Sequence, residues 1–355
     1  MAKIDTLLRK LHELEGSDLH ILAGQPPKFR VHGALEPVTD QPLDNAAVET
    51  LLYEIMDDKK RQVFDEVMDV DFAYEVPGVA RFRVNYFRHL HGMGGVFRTI
   101  PTRIRSLAEL GVPEVCYRFA EMRSGLVLVT GPTGSGKSTT LAAIIDHINR
   151  NQARHIITIE EPIEYTHENQ RSVVTQREVG EDARSFAAAL RAAMREDGDV
   201  VLVGELRDLE TISLAITAAE MGNIVFATLH TNSAAKTIDR IIDVFPEDQQ
   251  DQVRTMLSVS LQGVVSQLLL RRADGQGRVP ANEILLGSPA LGNIIREGAV
   301  AKINQYIESG RGEGMQLMDD AIMGHLMDGT ITGEEAYLKA FDKSRFERYY
   351  VPEEL

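Results

Sequence analysis

The chain has 355 residues and a formal net charge of −15, a length that suggests two or three domains with ample material for a core. No apolar run approaches the ~20 residues of a membrane span, and the charge-interrupted start MAKIDTLLRKLHELEG is unlike the apolar stretch of a signal peptide. The lone Cys116 excludes an internal disulfide and a four-cysteine zinc site, the acidic balance argues against general nucleic-acid binding, and cytoplasm is the expected compartment.

In chain order, Ile4, Leu7, Leu8, Leu11 and Leu14 fall on one face of an opening helix. SDLHI then alternates polar and apolar as a half-buried strand does. PPKFRVHGALEPV reads as a hairpin turning at His32-Gly33. Residues 44–66 read as helical, with Val48, Leu51, Leu52, Ile55 and Met56 on one stripe. MDVDFAYEV and ARFRVNYFRH are strands joined through Pro77-Gly78, and GGVFRTIP is a further strand. Residues 1–99 therefore form a small α+β domain with an antiparallel sheet, residues 100–112 a connector, and residues 113–355 a second domain.

That second domain alternates strand and helix. GLVLVT (125–130), HIITIE (155–160), DVVLVG (199–204) and NIVFATL (223–229) are short apolar strands. Helices are expected after the first, over Ala183–Glu196, over Leu209–Ala219 and near Ala234–Ile242. The pattern implies an α/β fold with a parallel sheet covered on both faces. From Gln249 onward the chain reads as mostly helical, interrupted by ADGQG and a short strand at ANEILL.

Between the first of these strands and its helix lies Gly131-Pro132-Thr133-Gly134-Ser135-Gly136-Lys137-Ser138, which fills every fixed position of the G-x-x-x-x-G-K-[ST] phosphate-binding loop. Its glycines let backbone N–H groups curl around phosphates at a helix N-terminus. Lys137 would reach the β- and γ-phosphates, Ser138 would ligate Mg²⁺, and Thr139 completes the binding segment. A nucleoside triphosphate is the expected ligand, with Mg²⁺ as cofactor.

Three other strand ends carry polar residues, and parallel strands would bring all four ends to one edge of the sheet. Glu205 follows the apolar strand VVLVG, where it would hold the Mg²⁺ shell through water and orient or deprotonate the attacking water. Glu160 is a second group for positioning water. His230 would hydrogen-bond the γ-phosphate and report its loss through the following helix.

The charge is unevenly spread. From Val76 to Ala108 there is no carboxylate, yet Arg81, Arg83, Arg88, Arg98, Arg103 and Arg105 fall there. Phosphoryl transfer needs positive charge on the γ-phosphate, and an arginine from another subunit contributes about 10³–10⁵ in rate. Arg81 and Arg83 alternate on one strand and so share a face, Arg98 lies on the next strand, and such a domain would complete its neighbour's site in a ring.

These segments together resemble the secretion-type ATPase superfamily, and within it the type IV pilus retraction motors. The resemblance runs from about residue 3 to about residue 345, through SDLHI, RVHG, ARFRVN, VFRTIP, GPTGSGKSTT, ITIEEPIEY, REDGDVVLVGELRDLETI and ATLHTNSAAKTIDRIIDVFP. It implies an N-terminal PAS-like domain, a C-terminal RecA-like P-loop ATPase domain with a helical C-terminal extension, and a homo-hexamer at the cytoplasmic face of the inner membrane. That ring would hydrolyse ATP at subunit interfaces and drive pilus retraction and twitching motility through the inner-membrane platform protein, acting indirectly on pilin.

Carried over by position, the resemblance makes Lys137 and Ser138 the phosphate and magnesium residues and Glu205 the catalytic glutamate. Glu160 and Glu164 become acidic-box residues, His230 the His-box residue, and Arg81, Arg83 and Arg98 the intersubunit group. Glu161 stands where the family usually has Asp, and Gly198 where it usually has Pro. In LGNIIREG (291–298) the first arginine expected of retraction motors falls on Gly292. That departure bears on coupling and supports an accessory retraction ATPase as the alternative. A non-hydrolysing nucleotide-gated scaffold is a further alternative, against which Glu205, Glu160 and His230 argue. The single cysteine points away from the extension and type II secretion branches with their four-cysteine zinc element.

Overall fold

A computed structural model describes residues 2–31, 33–100 and 103–350. The chain divides into two compact units, Met1–Arg103 with Pro162–Thr166, and Ile104–Glu161 with His167–Leu355.

The first unit is built on a six-stranded antiparallel sheet: β1 (Asp18–Leu22), β2 (Lys28–Val31), β3 (Ala34–Pro37), β4 (Asp69–Val76), β5 (Ala80–His89) and β6 (Gly92–Ile100), in the order β3-β2-β1-β6-β5-β4. Period-2 alternation sets its faces. On β5, Phe82, Val84 and Tyr86 are buried while Arg83 is exposed. The apolar face packs on α1 (Lys3–Glu13), α2 (Asn45–Tyr53) and α3 (Asp58–Val67) through Ile4, Leu8, Leu11, Val48, Leu52 and Phe64. The single helix expected over 44–66 is two. Asp57 is extended and its carboxylate accepts from the Lys60 N–H at 2.8 Å, so an N-cap restarts the helix where the apolar stripe alone reads as continuous. The expected turn at His32-Gly33 lies partly outside the described residues.

The second unit holds a seven-stranded sheet: β7 (Gly125–Thr130), β8 (His155–Glu160), β9 (Val173–Glu178), β10 (Val200–Val203), β11 (Ile224–Leu229), β12 (Leu261–Arg271) and β13 (Arg278–Leu286), in the order β13-β12-β7-β11-β10-β8-β9. Its helices are α4 (Leu107–Leu110), α5 (Val115–Glu121), α6 (Lys137–Asn151), α7 (Phe186–Ala193), α8 (Leu209–Glu220), α9 (Ala234–Asp243), α10 (Glu247–Ser260), α11 (Pro289–Arg296), α12 (Ile303–Ser309), α13 (Met318–Met327) and α14 (Gly333–Lys339). The central strands β7, β10 and β11 are buried throughout, as expected for parallel strands covered on both faces. A satellite core joins Leu270 and Ala281 to Met318, Ile322, Ile331 and Phe346.

Three expectations change here. Leu261–Arg271 is a long strand rather than helix, pairing parallel to β7 and antiparallel to β13, so the sheet is mixed. LQGVVSQLLLR is buried on both faces over most of its length, and such a run carries no periodicity to separate strand from helix. The ADGQG segment turns between β12 and β13, with Gly275 and Gly277 at positive φ. Edge strand β9 was not expected, because VVTQRE is mostly polar and only partly covered. Helix α7 is shorter than Ala183–Glu196, since Ser185 caps it by accepting the Ala188 N–H.

Candidate active site

Strands β7, β11, β10 and β8 are neighbours and all parallel, so their carboxyl ends adjoin along one edge of the sheet. That edge gathers the phosphate loop, His230, Glu205 and Glu160. Parallel pairing, rather than any sequence proximity, makes them a site.

The loop leaves β7 at Gly131 and enters α6 at Lys137. Gly131, Gly134 and Gly136 have φ of 144°, 78° and 86°, where only glycine is unstrained. Close approach is a second constraint: a Cβ on Gly131 would lie 2.3 Å from the Gln267 carbonyl oxygen and 2.6 Å from Ser135 Oγ. Pro132 and Thr133 are exposed, Ser135 is buried, and its Oγ has no hydrogen-bond partner among the described residues. Lys137 is buried and folds back over the loop, donating from Nζ to the carbonyls of Gly131 (2.9 Å) and Pro132 (3.2 Å). Ser138 and Thr139 follow in the first turn of α6, partly exposed. An ammonium group, an orphaned hydroxyl and a helix N-terminus around a glycine-rich loop suit an anion. Among the described residues no cluster of three His, Cys, Asp or Glu side chains forms a metal site. Mg²⁺ would then rest on Ser138, a carboxylate such as Glu205 through water, and phosphate oxygens, the sparse protein shell this ion commonly takes.

Glu205 lies just past β10. The backbone there is stitched to β11: Leu206 N–H donates to the Thr228 carbonyl at 3.0 Å, and Thr228 Oγ1 donates to the Gly204 carbonyl. That stitching brings together Glu205 and His230, one residue past β11, with Nε2 3.1 Å from Oε1. Arg207 grips the other carboxylate oxygen at 2.7 Å and approaches Glu161 at 3.6 Å. Burial opposes ionisation of Glu205, but the Arg207 guanidinium, with a smaller contribution from His230, more than offsets it and holds the carboxyl below the usual glutamate range. Glu160 closes the row, accepting from Thr158 Oγ1 at 2.8 Å and Gln176 Nε2 at 3.4 Å.

Arg81, Arg83 and Arg98 belong to the first unit. Arg83 pairs with Arg98 in the β5–β6 register, so the three share the sheet face opposite the core. Arg98 is tied at 2.9 Å to Asp18, a carboxylate nearly buried on β1 that Arg30 also approaches at 3.6 Å. Arg83 lies 3.9 Å from Asp71.

The sequence reading gives no role to three residues of this constellation. Arg207 stands just beyond Glu205 at the same strand end, where its sequence position is visible but its partner is not. Gln267 carried no signal, because its segment read as helix. Glu283, buried on β13, accepts the Ala234 N–H at 2.7 Å and so caps α9, the helix that follows the His230 segment.

Residues 2–341 match the family model described as Type II/IV secretion system protein. The type IV pilus retraction ATPase PilT of Pseudomonas aeruginosa is 53% identical over 324 residues, 91% of this chain and 94% of the relative. The type IV pilus ATPase PilU of the same organism is 41% identical, over 95% of this chain and 88% of that protein. A crystal structure of the pilus retraction motor PilT with bound ADP superposes with a TM-score of 0.90 at 44% identity, covering 98% of this chain and 99% of that one.

Proposed function

The chain belongs to the type II/IV secretion system protein family, and on that premise we propose that it is an ATPase motor driving type IV pilus retraction. The observation that carries the catalytic part is the Glu205–His230 contact beside the phosphate loop on adjoining strand ends. Lys137 and the N–H groups of Gly134, Gly136 and the first turn of α6 hold the phosphates. Mg²⁺, when bound at Ser138, neutralises phosphate charge. Glu205 orients the attacking water, with Glu160 beside it, and His230 passes the change at the phosphates to α9. Charge at the γ-phosphate is completed by Arg81, Arg83 or Arg98 of a neighbouring copy in a homo-hexamer.

The finer architecture follows the same reading: a PAS-like first domain, supported by its antiparallel sheet with helices on one face, and a RecA-like second domain with a helical extension. No described helix is long and apolar enough to cross a membrane. We place the ring at the cytoplasmic face of the inner membrane, working on the platform protein and through it on pilin.

One observation favours the accessory form of the same function. Gly292 occupies the place of an arginine expected in retraction motors, and a Cβ there would sit 2.8 Å from the Ser258 carbonyl oxygen. The test is complementation of a strain lacking this chain. The wild-type chain is expected to restore twitching, whereas Glu205→Gln leaves cells piliated and non-motile; twitching restored by Glu205→Gln would refute the proposal.

A further inference from the structure

Gln267 lies on β12 one residue past the last β7-paired position, and is 3% exposed. Its carboxamide bridges two points of the phosphate-binding segment. Nε2 donates to the Ser135 carbonyl at 2.6 Å, and Oε1 accepts from Thr140 Oγ1 on α6 at 2.8 Å. Both amide ends are therefore satisfied in one orientation, because a carbonyl only accepts and the donor to Oε1 is a hydroxyl. The preceding Ser266 hydroxyl lies 2.8 Å from Thr130 Oγ1 at the end of β7, so β12 braces the loop at its entry, its middle and the helix beyond.

The consequence lies in the Ser135–Gly136 peptide. In a planar trans peptide the carbonyl and the next N–H point in opposite directions. A carbonyl drawn to Gln267 turns the Gly136 N–H away from β12, and that N–H has no acceptor among the described residues. Gly136 also has a side chain's worth of space missing on the Gln267 side, since a Cβ would lie 2.8 Å from Nε2. We propose that Gln267 is a positioning residue for ATP hydrolysis, fixing the Ser135–Gly136 peptide so that its N–H is presented to the nucleotide phosphates. The inference rests on the reading of Gly131–Thr139 as the ATP site.

The test is titration of the full chain with a fluorescent ADP analogue and Mg²⁺, comparing wild type, Gln267→Met, Gln267→Glu and Lys137→Ala, with thermal unfolding of each nucleotide-free protein. Gln267→Met keeps the volume and removes both hydrogen bonds, and is expected to weaken binding by about tenfold. Gln267→Glu sets a carboxylate against the Ser135 carbonyl and is expected to weaken it further, with affinity recovering as pH falls, because a protonated carboxyl donates there as the amide does. A mere packing role would lower the melting temperature of both variants without that pH-dependent recovery. Affinity within twofold of wild type in Gln267→Met, alongside lost binding in Lys137→Ala, overturns the positioning role alone. Unchanged binding in Lys137→Ala overturns the underlying reading of the loop.

Discussion

Glu205 is gripped by Arg207 and contacted by His230 before any nucleotide arrives, and this shapes what it does. A carboxylate with a depressed pKa is a weak proton acceptor, so its contribution lies in orienting water more than in storing the proton. Arg207 is the counterweight to burial here. In Arg207→Ala the burial effect stands less opposed, and the Glu205 pKa rises. The acid limb of the kcat/KM–pH profile is then expected to move to higher pH, and an unmoved limb would mean that Arg207 does not set the ionisation of Glu205. A second partly buried group makes an independent pH prediction. Burial pushes the His167 imidazole down to about 4, so between that value and the ordinary histidine value of ~6.5 the unfolded chain binds the extra proton and stability falls with falling pH. His167→Asn is expected to flatten denaturant-midpoint loss across that window; an unchanged slope would assign the acid sensitivity to other groups. Glu205 was legible because it ends an apolar strand at a fixed place. Its pairing with Arg207 and His230 was not, because it depends on how the chain after β10 is stitched to β11.

Among the elements, α11 and the β12–β13 hairpin decide most. Gly292 lets α11 lie against α10 at the Ser258 carbonyl, where Arg296 also donates to Ser258 Oγ at 2.7 Å. Alanine at 292 gains about 1 kcal/mol of helix propensity but forces a Cβ to 2.8 Å from backbone oxygen, an overpacking cost of ~1–3 kcal/mol. Gly292→Ala is therefore expected to lower the melting temperature modestly, and a raised one would show that the two helices separate freely. The hairpin marks the limit of sequence reading. Its strands carry Gln267 and Glu283, both tied to the site, yet a run buried on both faces offers no alternation. The α2–α3 break was hidden in the opposite way, since one aspartate's capping bond interrupted a stripe that looked continuous. Where local pattern and tertiary burial agree, as at β7 and β11, the boundaries came out within a residue.

For the whole molecule, three arginines of the arginine-rich stretch, Arg81, Arg83 and Arg98, align across two strands on the sheet face of the first unit opposite its helices, whereas Arg88 lies on the helix side near Glu49. Composition alone pointed to that cluster; strand register places the three on one face. Asp18 holds Arg98 in place, while Arg83, at 3.9 Å from Asp71, is the more loosely held, and a rim ion pair of that length contributes little. Arg83→Ala is accordingly expected to keep its fold, to bind ATP nearly as wild type does, and to lose at least tenfold in kcat. Normal turnover in an assembled ring would remove it from the intersubunit group.

The most direct test of ATP hydrolysis at shared sites is steady-state ATPase activity across protein concentration, for the wild-type chain and for Glu205→Ala. Specific activity that rises as subunits assemble, and vanishes in Glu205→Ala at every concentration, is the predicted result. Activity independent of concentration would mean that each subunit carries a complete site, and would contradict the account.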